Sequence, residues 1–178
     1  MIMALMAAVS LARGHVPYAV VLVAFIFGLF MWPPVPERPR VKVKRLSPLA
    51  RAPVYAKPGD SGADLRSTVN MVIPAHGRGL VDTDLAFEIP DGFEMQVRPR
   101  SGMSLKDGAV VVLGTIDRGY RAGVGVILYN HASEPYPVNI GQRVAQAVIA
   151  PVAHARFVEV DKLSETERGA GGFGHTGA

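Results

Sequence analysis

From Val41 onward, glycine and proline cut the chain into short apolar runs, and no other feature of the sequence constrains the fold as much. Nine runs read as strands: 41–46, 63–67, 69–73, 84–89, 93–98, 109–113, 124–130, 143–151 and 156–160. The run Phe93-Glu94-Met95-Gln96-Val97-Arg98 alternates apolar and polar residues strictly, so Phe93, Met95 and Val97 share one face of a strand. Turn residues separate the runs at Pro74, Gly77, Gly79, Pro90-Asp91-Gly92, Pro135 and Pro137. One short helix is expected over 101–106, with Ser101 as its N-cap. Many short strands with tight turns imply an all-β sandwich or barrel, and the jelly roll is the natural candidate. No internal repeat is visible.

The 178 residues suffice for one domain and an appendage. The chain has no cysteine, which excludes disulfides and cysteine-ligated zinc or iron–sulfur sites and suits a reducing compartment. Formal charge is +4; Arg13, Glu37, Arg38 and Arg40 precede Val41 and leave +2 on the remainder. That balance gives no charge argument for nucleic-acid binding, although it accommodates a site for a small polyanion.

Residues 14–36 contain no Asp, Glu, Lys or Arg, and their centre, 16–32, is an apolar run at the short end of what spans a bilayer. Three readings fit. The run is a membrane anchor with Tyr18 and Trp32 near its ends, and the cations at 38, 40, 42, 44 and 45 then leave the following domain in the cytosol. Alternatively the working chain starts downstream, at Met31. A cleaved signal peptide fits least, because Pro33-Pro34 stand where a small-residue cleavage site belongs. Pro33, Pro34, Pro36 and Pro39 make the join a stiff linker. The expected organisation is a hydrophobic segment and linker over 1–40, a β domain over 41–165, and a glycine-rich C-terminal lid over 166–178.

Five segments occur in fixed order: Pro58-Gly59-Asp60-Ser61-Gly62-Ala63-Asp64-Leu65; Pro99-Arg100-Ser101-Gly102; Gly114-Thr115-Ile116-Asp117-Arg118-Gly119-Tyr120-Arg121; Gly141-Gln142-Arg143-Val144-Ala145-Gln146; and Arg168-Gly169-Ala170-Gly171-Gly172-Phe173-Gly174-His175-Thr176-Gly177. Each is weak alone. Together they resemble the homotrimeric dUTPase family over everything from Val41 to the C-terminus. The resemblance implies a distorted jelly-roll β-barrel, a homotrimer with active sites shared between subunits, and magnesium-dependent cleavage of dUTP to dUMP and pyrophosphate. Such an activity limits uracil in DNA and supplies dUMP for dTMP synthesis.

Phosphoanhydride hydrolysis needs a water in line with its leaving group and a carboxylate to take its proton. Asp117 lies between two strands expected to pair as a hairpin, and the resemblance makes it that base, with attack at the α-phosphorus. Most loop aspartates merely cap turns; the surrounding motif favours the catalytic role. Tyr120 in the family packs on the deoxyribose and leaves no room for a 2′-hydroxyl, a role compatible with a packing tyrosine. Backbone groups along 111–114, including Val112, Leu113 and Gly114, match the donor and acceptor pattern of uracil; much of that run also serves as ordinary apolar strand. Arg100, Ser101 and Gly102 read as a phosphate site, where a turn into a helix offers N–H groups and arginine adds a charged fork.

Gln146 is the matching polar contact of the fourth segment, and Gln142 replaces a common acidic residue in a turn. The resemblance places Asp64 near the site, where it reaches magnesium indirectly, through water, as suits an ion that keeps much of its hydration. By composition 168–178 is a disordered tail, with five glycines in eleven residues. The resemblance instead makes it a lid in which Phe173 stacks on uracil, Arg168 contacts the terminal phosphate, and Gly174 and His175 approach the phosphates.

Two other functions compete. The related dCTP deaminases place a catalytic Glu where this chain has Ile127, and 124–130 holds no charged residue. A nucleotide-binding regulator without turnover needs no catalytic residue, yet Asp117, Tyr120, Arg100, Ser101, Arg168 and Phe173 are all present. The localisation expected is cytoplasmic, or membrane-anchored with the catalytic domain facing the cytosol.

Overall fold

The structure is a computed structural model, and it describes residues 38–172. Its folded unit begins at Val41. Eleven strands and one helix follow in order among the described residues: β1 Lys42–Arg45, β2 Ala63–Arg66, β3 Met71–Ile73, β4 Arg78–Asp82, β5 Leu85–Glu88, β6 Phe93–Arg98, α1 Ser101–Asp107, β7 Ala109–Val111, β8 Gly114–Ile116, β9 Gly125–Asn130, β10 Tyr136–Val138 and β11 Arg143–Pro151. The all-β class and jelly-roll architecture expected from the sequence are those found.

All pairings are antiparallel, in four small sheets ordered β2-β11-β6-β8, β4-β9-β7, β1-β5 and β10-β3. β11 lies between β2 and β6, so the fourth sequence segment is threaded between the first and the second. Inward side chains from successive strands form one core that includes Leu65, Ile73, Val81, Leu85, Met95, Val126, Leu128, Val138 and Val144, all fully buried. Burying each such side chain stabilises the fold by about 1.5–3 kcal/mol. The alternation in β6 is realised as expected: Met95 and Val97 are buried while Glu94, Gln96 and Arg98 face outward.

Several sequence expectations need correction. The run 156–160 forms no strand, and Phe157 in it is 95% exposed. A β-prone run becomes a strand only against an edge, and among the described residues none pairs with it. Ser101 is not the N-cap; Arg100 holds that position in extended geometry and makes no side-chain cap bond. The strand 109–113 ends at Val111, although the Val112 N–H still donates to the Ile127 carbonyl (2.9 Å). Three strands were not expected. β4 presents only Val81 to the core, β8 is three residues opening on a glycine, and β10 contains Pro137, which suits an edge strand. The candidate membrane run 14–36 lies outside the described residues. Among the described residues no helix is long and apolar enough to cross a membrane.

Candidate functional site

One end of the β2-β11-β6-β8 sheet collects the polar residues of three sequence segments. Register places Asp64 of β2 opposite Gln146 of β11, and Gln146 opposite Arg98 of β6. Two residues past Arg98 the chain turns into α1. The Arg100 Nε donates to Asp64 Oδ1 (3.0 Å), and Arg143 Nη1 donates to Asp64 Oδ2 (3.3 Å). The Asp64 side chain is only 14% exposed, so both its oxygens meet guanidinium groups in a shielded place. Gln146 Nε2 donates to the Pro99 carbonyl (2.8 Å), which ties β11 to the turn carrying Arg100. Gly62 leaves room for this: a Cβ there would stand 2.8 Å from Gln146 Cδ and 2.9 Å from its Cβ.

Ser101 and Gly102 open α1 and are exposed. The first N–H groups of a helix have no partner within it, so this turn offers donors beside Arg100. A Cβ built on Gly102 meets no atom within 4 Å. Packing therefore does not explain the glycine.

The third segment stands elsewhere on the same sheet. β7 and β9 pair as the expected hairpin, Ala109 with Asn130 through Val111 with Leu128, but the connection between them is not a simple loop. Gly114, Thr115 and Ile116 leave as β8 and pair with Val97, Gln96 and Met95 of β6. Val112 and Leu113, at the crossing, are exposed apolar residues. Asp117 follows β8 in a turn closed by the Tyr120 N–H donating to its carbonyl (3.0 Å), and its carboxylate is exposed. The Tyr120 hydroxyl donates to the Gly123 carbonyl (3.0 Å), which fixes a half-exposed ring beside the turn. Asp117 lines a cleft of about 200 Å³ with Phe93, Glu94, Gly119 and His154. Ligand pockets for drug-sized molecules usually hold about 300–1,000 Å³.

These two groups of residues do not meet within one chain. Asp117 comes one step past the Met95–Ile116 pair, level with Glu94. Arg100 stands six residues further along the extended β6 segment, about 20 Å away at about 3.3 Å per residue. The structure thus brings together Asp64, Arg100, Ser101, Gly102 and Gln146, sets Asp117 and Tyr120 at the far end of β8, and runs Gly114, Leu113 and Val112 back from there toward the Arg98 end of β6. Arg168 is exposed in a turn, with its Nε donating to the Gly171 carbonyl (3.0 Å). Phe173, Gly174 and His175 lie outside the described residues.

Gln142 acts within its own turn. Its Oε1 accepts from the Asn139 N–H (2.9 Å) and its Nε2 donates to the Tyr136 hydroxyl (2.8 Å). Burial, and then the Asp107 carboxylate, push the Tyr136 phenol above its usual value, so the hydroxyl stays protonated.

No group of three His, Asp or Glu suited to a metal occurs among the described residues. Asp64 is already held by two guanidiniums. This donor set does not fit a resident ion gripped by side chains.

Sequence reasoning missed Arg143. Its signal was present in Arg143-Val144-Ala145-Gln146, where two consecutive apolar residues between polar ones break the period of two. The break is a β-bulge: β11 advances two residues, Arg143 to Ala145, while β2 advances one, Arg66 to Leu65.

A jelly-roll domain with a cationic corner at one end of a sheet and an exposed carboxylate turn at the other is the layout of a protein that handles a small polyanion. The comparisons make this specific. A dUTPase family model matches residues 49–177, and the chain belongs to the dUTPase family. The deoxyuridine 5'-triphosphate nucleotidohydrolase of Nautilia profundicola is 47% identical over 140 residues, covering 78% of this chain and 99% of its own. That of Alkaliphilus metalliredigens is 48% identical over 139 residues, covering 77% and 96%. Among solved structures, the Staphylococcus bacteriophage 80alpha dUTPase with dUPNHPP gives a TM-score of 0.74 at 29% identity, covering 78% of this chain and 99% of that one. A mutant dUTPase from phage phi11 of S. aureus, which coordinates a structural Mg(II) ion, gives 0.66 at 28% identity, covering 69% and 97%.

Proposed function

We propose that this chain is a dUTP diphosphatase, cleaving dUTP to dUMP and pyrophosphate by attack of water at the α-phosphorus. The observation that carries the reading is the exposed Asp117 carboxylate, set in a turn closed by Tyr120, in a chain that matches dUTP nucleotidohydrolases over 99% of a relative's length. Asp117 accepts the proton of the attacking water. Tyr120 lies against the deoxyribose and excludes a 2′-hydroxyl. Backbone groups of Val112, Leu113 and Gly114 read the uracil edge, where a base with the wrong donors leaves buried groups unpaired. Arg100, Ser101, Gly102 and Gln146 hold the phosphate chain, and Arg168, Phe173, Gly174 and His175 close over the nucleotide. Magnesium bound to the phosphates would neutralise charge on the leaving pyrophosphate, with Asp64 reaching it only through water.

A base and a phosphate corner about 20 Å apart in one chain cannot serve one triphosphate. The proposed assembly is a homotrimer in which Asp117 of one subunit faces Arg100 of another. Support comes from the exposed apolar side chains of 152–165: Phe157 is 95%, Leu163 80% and Val158 67% exposed. Every residue given a role follows Val41, so the activity is assigned to residues 41–178, with 166–178 as the lid and 14–36 dispensable for catalysis. The location proposed for this unit is the cytosol.

The deamination alternative is not favoured. Ile127 stands where that chemistry needs a carboxylate, and it is half-exposed on β9, a strand that carries no acidic residue. The test is pyrophosphate release from dUTP, dTTP, dCTP and UTP with magnesium. Selective cleavage of dUTP supports the reading; equal cleavage of UTP refutes the assigned role of Tyr120.

A further inference from the structure

We propose that Arg143 is a positioning residue: acting through Asp64, it sets the orientation and free charge of the phosphate-binding Arg100. The proposal rests on the dUTP-hydrolase reading above and assigns a role to a side chain outside that mechanism.

The bulge in β11 is the first ground. In a regular strand residues three apart face opposite sides. Arg143 and Gln146 nevertheless both reach the outer face, because the extra residue lets Val144 and Ala145 be buried in succession, each fully. Bulges re-aim side chains, and this one turns a guanidinium toward Asp64.

The geometry of the trio is the second ground. Arg100 uses its Nε on Asp64 Oδ1 (3.0 Å), and among the described residues its Nη nitrogens have no recorded partner. With Nε engaged, the Nη1–Nη2 edge is the one left to grip a phosphate with two parallel bonds. A single hinge at Nε would let that edge swing. Arg143 on Oδ2 (3.3 Å) fixes the carboxylate plane, and with it the direction of Arg100.

Charge is the third ground. Arg100 and Asp64 alone form a neutral pair. With Arg143 the trio carries +1, and no carboxylate oxygen is left bare toward an incoming polyanion. The Arg143 side chain is 44% exposed, so its ion pair contributes little to stability. Loss of Arg143 should therefore show in nucleotide binding and hardly in melting.

The test is calorimetric binding of dUpNHpp to the full-length chain with magnesium, alongside dUTP hydrolysis and thermal melting. Arg143→Gln is expected to weaken binding about tenfold and to raise KM more than it lowers kcat, with the melting temperature moving little. Arg143→Lys, which keeps the charge, should recover binding to within about threefold of the parent. In an Asp64→Asn background, adding Arg143→Gln should cost less than about twofold, because the carboxylate it acts through is gone. Full binding by Arg143→Gln, or an undiminished tenfold loss in the Asp64→Asn background, overturns the proposal; the second result would mean that Arg143 touches phosphate itself. Should Arg143→Gln not fold, Asp64→Asn alone decides: binding as tight as the parent's overturns it. A parent chain that neither binds dUpNHpp nor cleaves dUTP defeats the function reading, and this proposal with it.

Discussion

Replacing Gly102 by alanine separates a packing role from a ligand role at one atom. Gly102 is the second residue of α1, and its backbone lies outside the left-handed region that only glycine favours. A methyl there meets nothing within 4 Å from the rest of its own chain beyond the adjoining helix backbone. Alanine is favoured over glycine in a helix by up to about 1 kcal/mol. The variant should therefore fold and melt about 2–5 °C higher if that gain is realised. Catalysis should move the other way. Phosphate oxygens must come within about 2.9 Å of the helix N–H groups, and a methyl beside them blocks that approach. A loss of about 100-fold in kcat/KM corresponds to about 2.7 kcal/mol, a fair cost for one displaced charged contact. Thermal melting and steady-state hydrolysis of dUTP on the same preparation decide the matter. A variant that melts lower refutes the packing argument, and one that melts higher with full activity removes Gly102 from the phosphate site.

Three further outcomes are expected. Asp117→Asn should lower turnover by about 10²–10⁴-fold while dUpNHpp still binds, because the base is lost and the pocket kept; unchanged turnover would falsify the assignment of the base. Gly62→Ala drives a methyl into Gln146 and breaks its hold on the Pro99 carbonyl, so chemical denaturation should show a loss of about 1–3 kcal/mol, and a fully stable variant refutes that packing. Deleting residues 168–178 should cut kcat/KM by about 10²-fold with the assembly intact in sedimentation; dissociation would give the tail a structural role instead.

How much the sequence disclosed depended on whether the information was local. The alternation in 93–98 is local, and β6 follows it residue for residue. The short helix after Pro99 is local too, though its cap moved by one residue because Ser101 already has helical neighbours and Arg100 the extended geometry. β8 was hidden because three residues opening on glycine carry no strand signal until β6 offers them an edge. The opposite error occurred at 156–160, a β-prone run with no edge among the described residues. Within the site, residue types were legible and distances were not. Asp117 and Arg100 both belong to recognisable segments, but only the β6–β8 register shows that they occupy opposite ends of one sheet. Arg143 escaped notice because a bulge, not the strand period, decides which way it points.

The most direct test of this account is pyrophosphate release by the full chain with magnesium, followed across protein concentration with dUTP, UTP, dCTP and dTTP compared. The account predicts selective cleavage of dUTP whose specific rate collapses on dilution, as subunits carrying Asp117 part from those carrying Arg100. Failure to cleave dUTP under conditions where dUpNHpp binds would contradict it, as would a specific rate that persists in the dilute monomer.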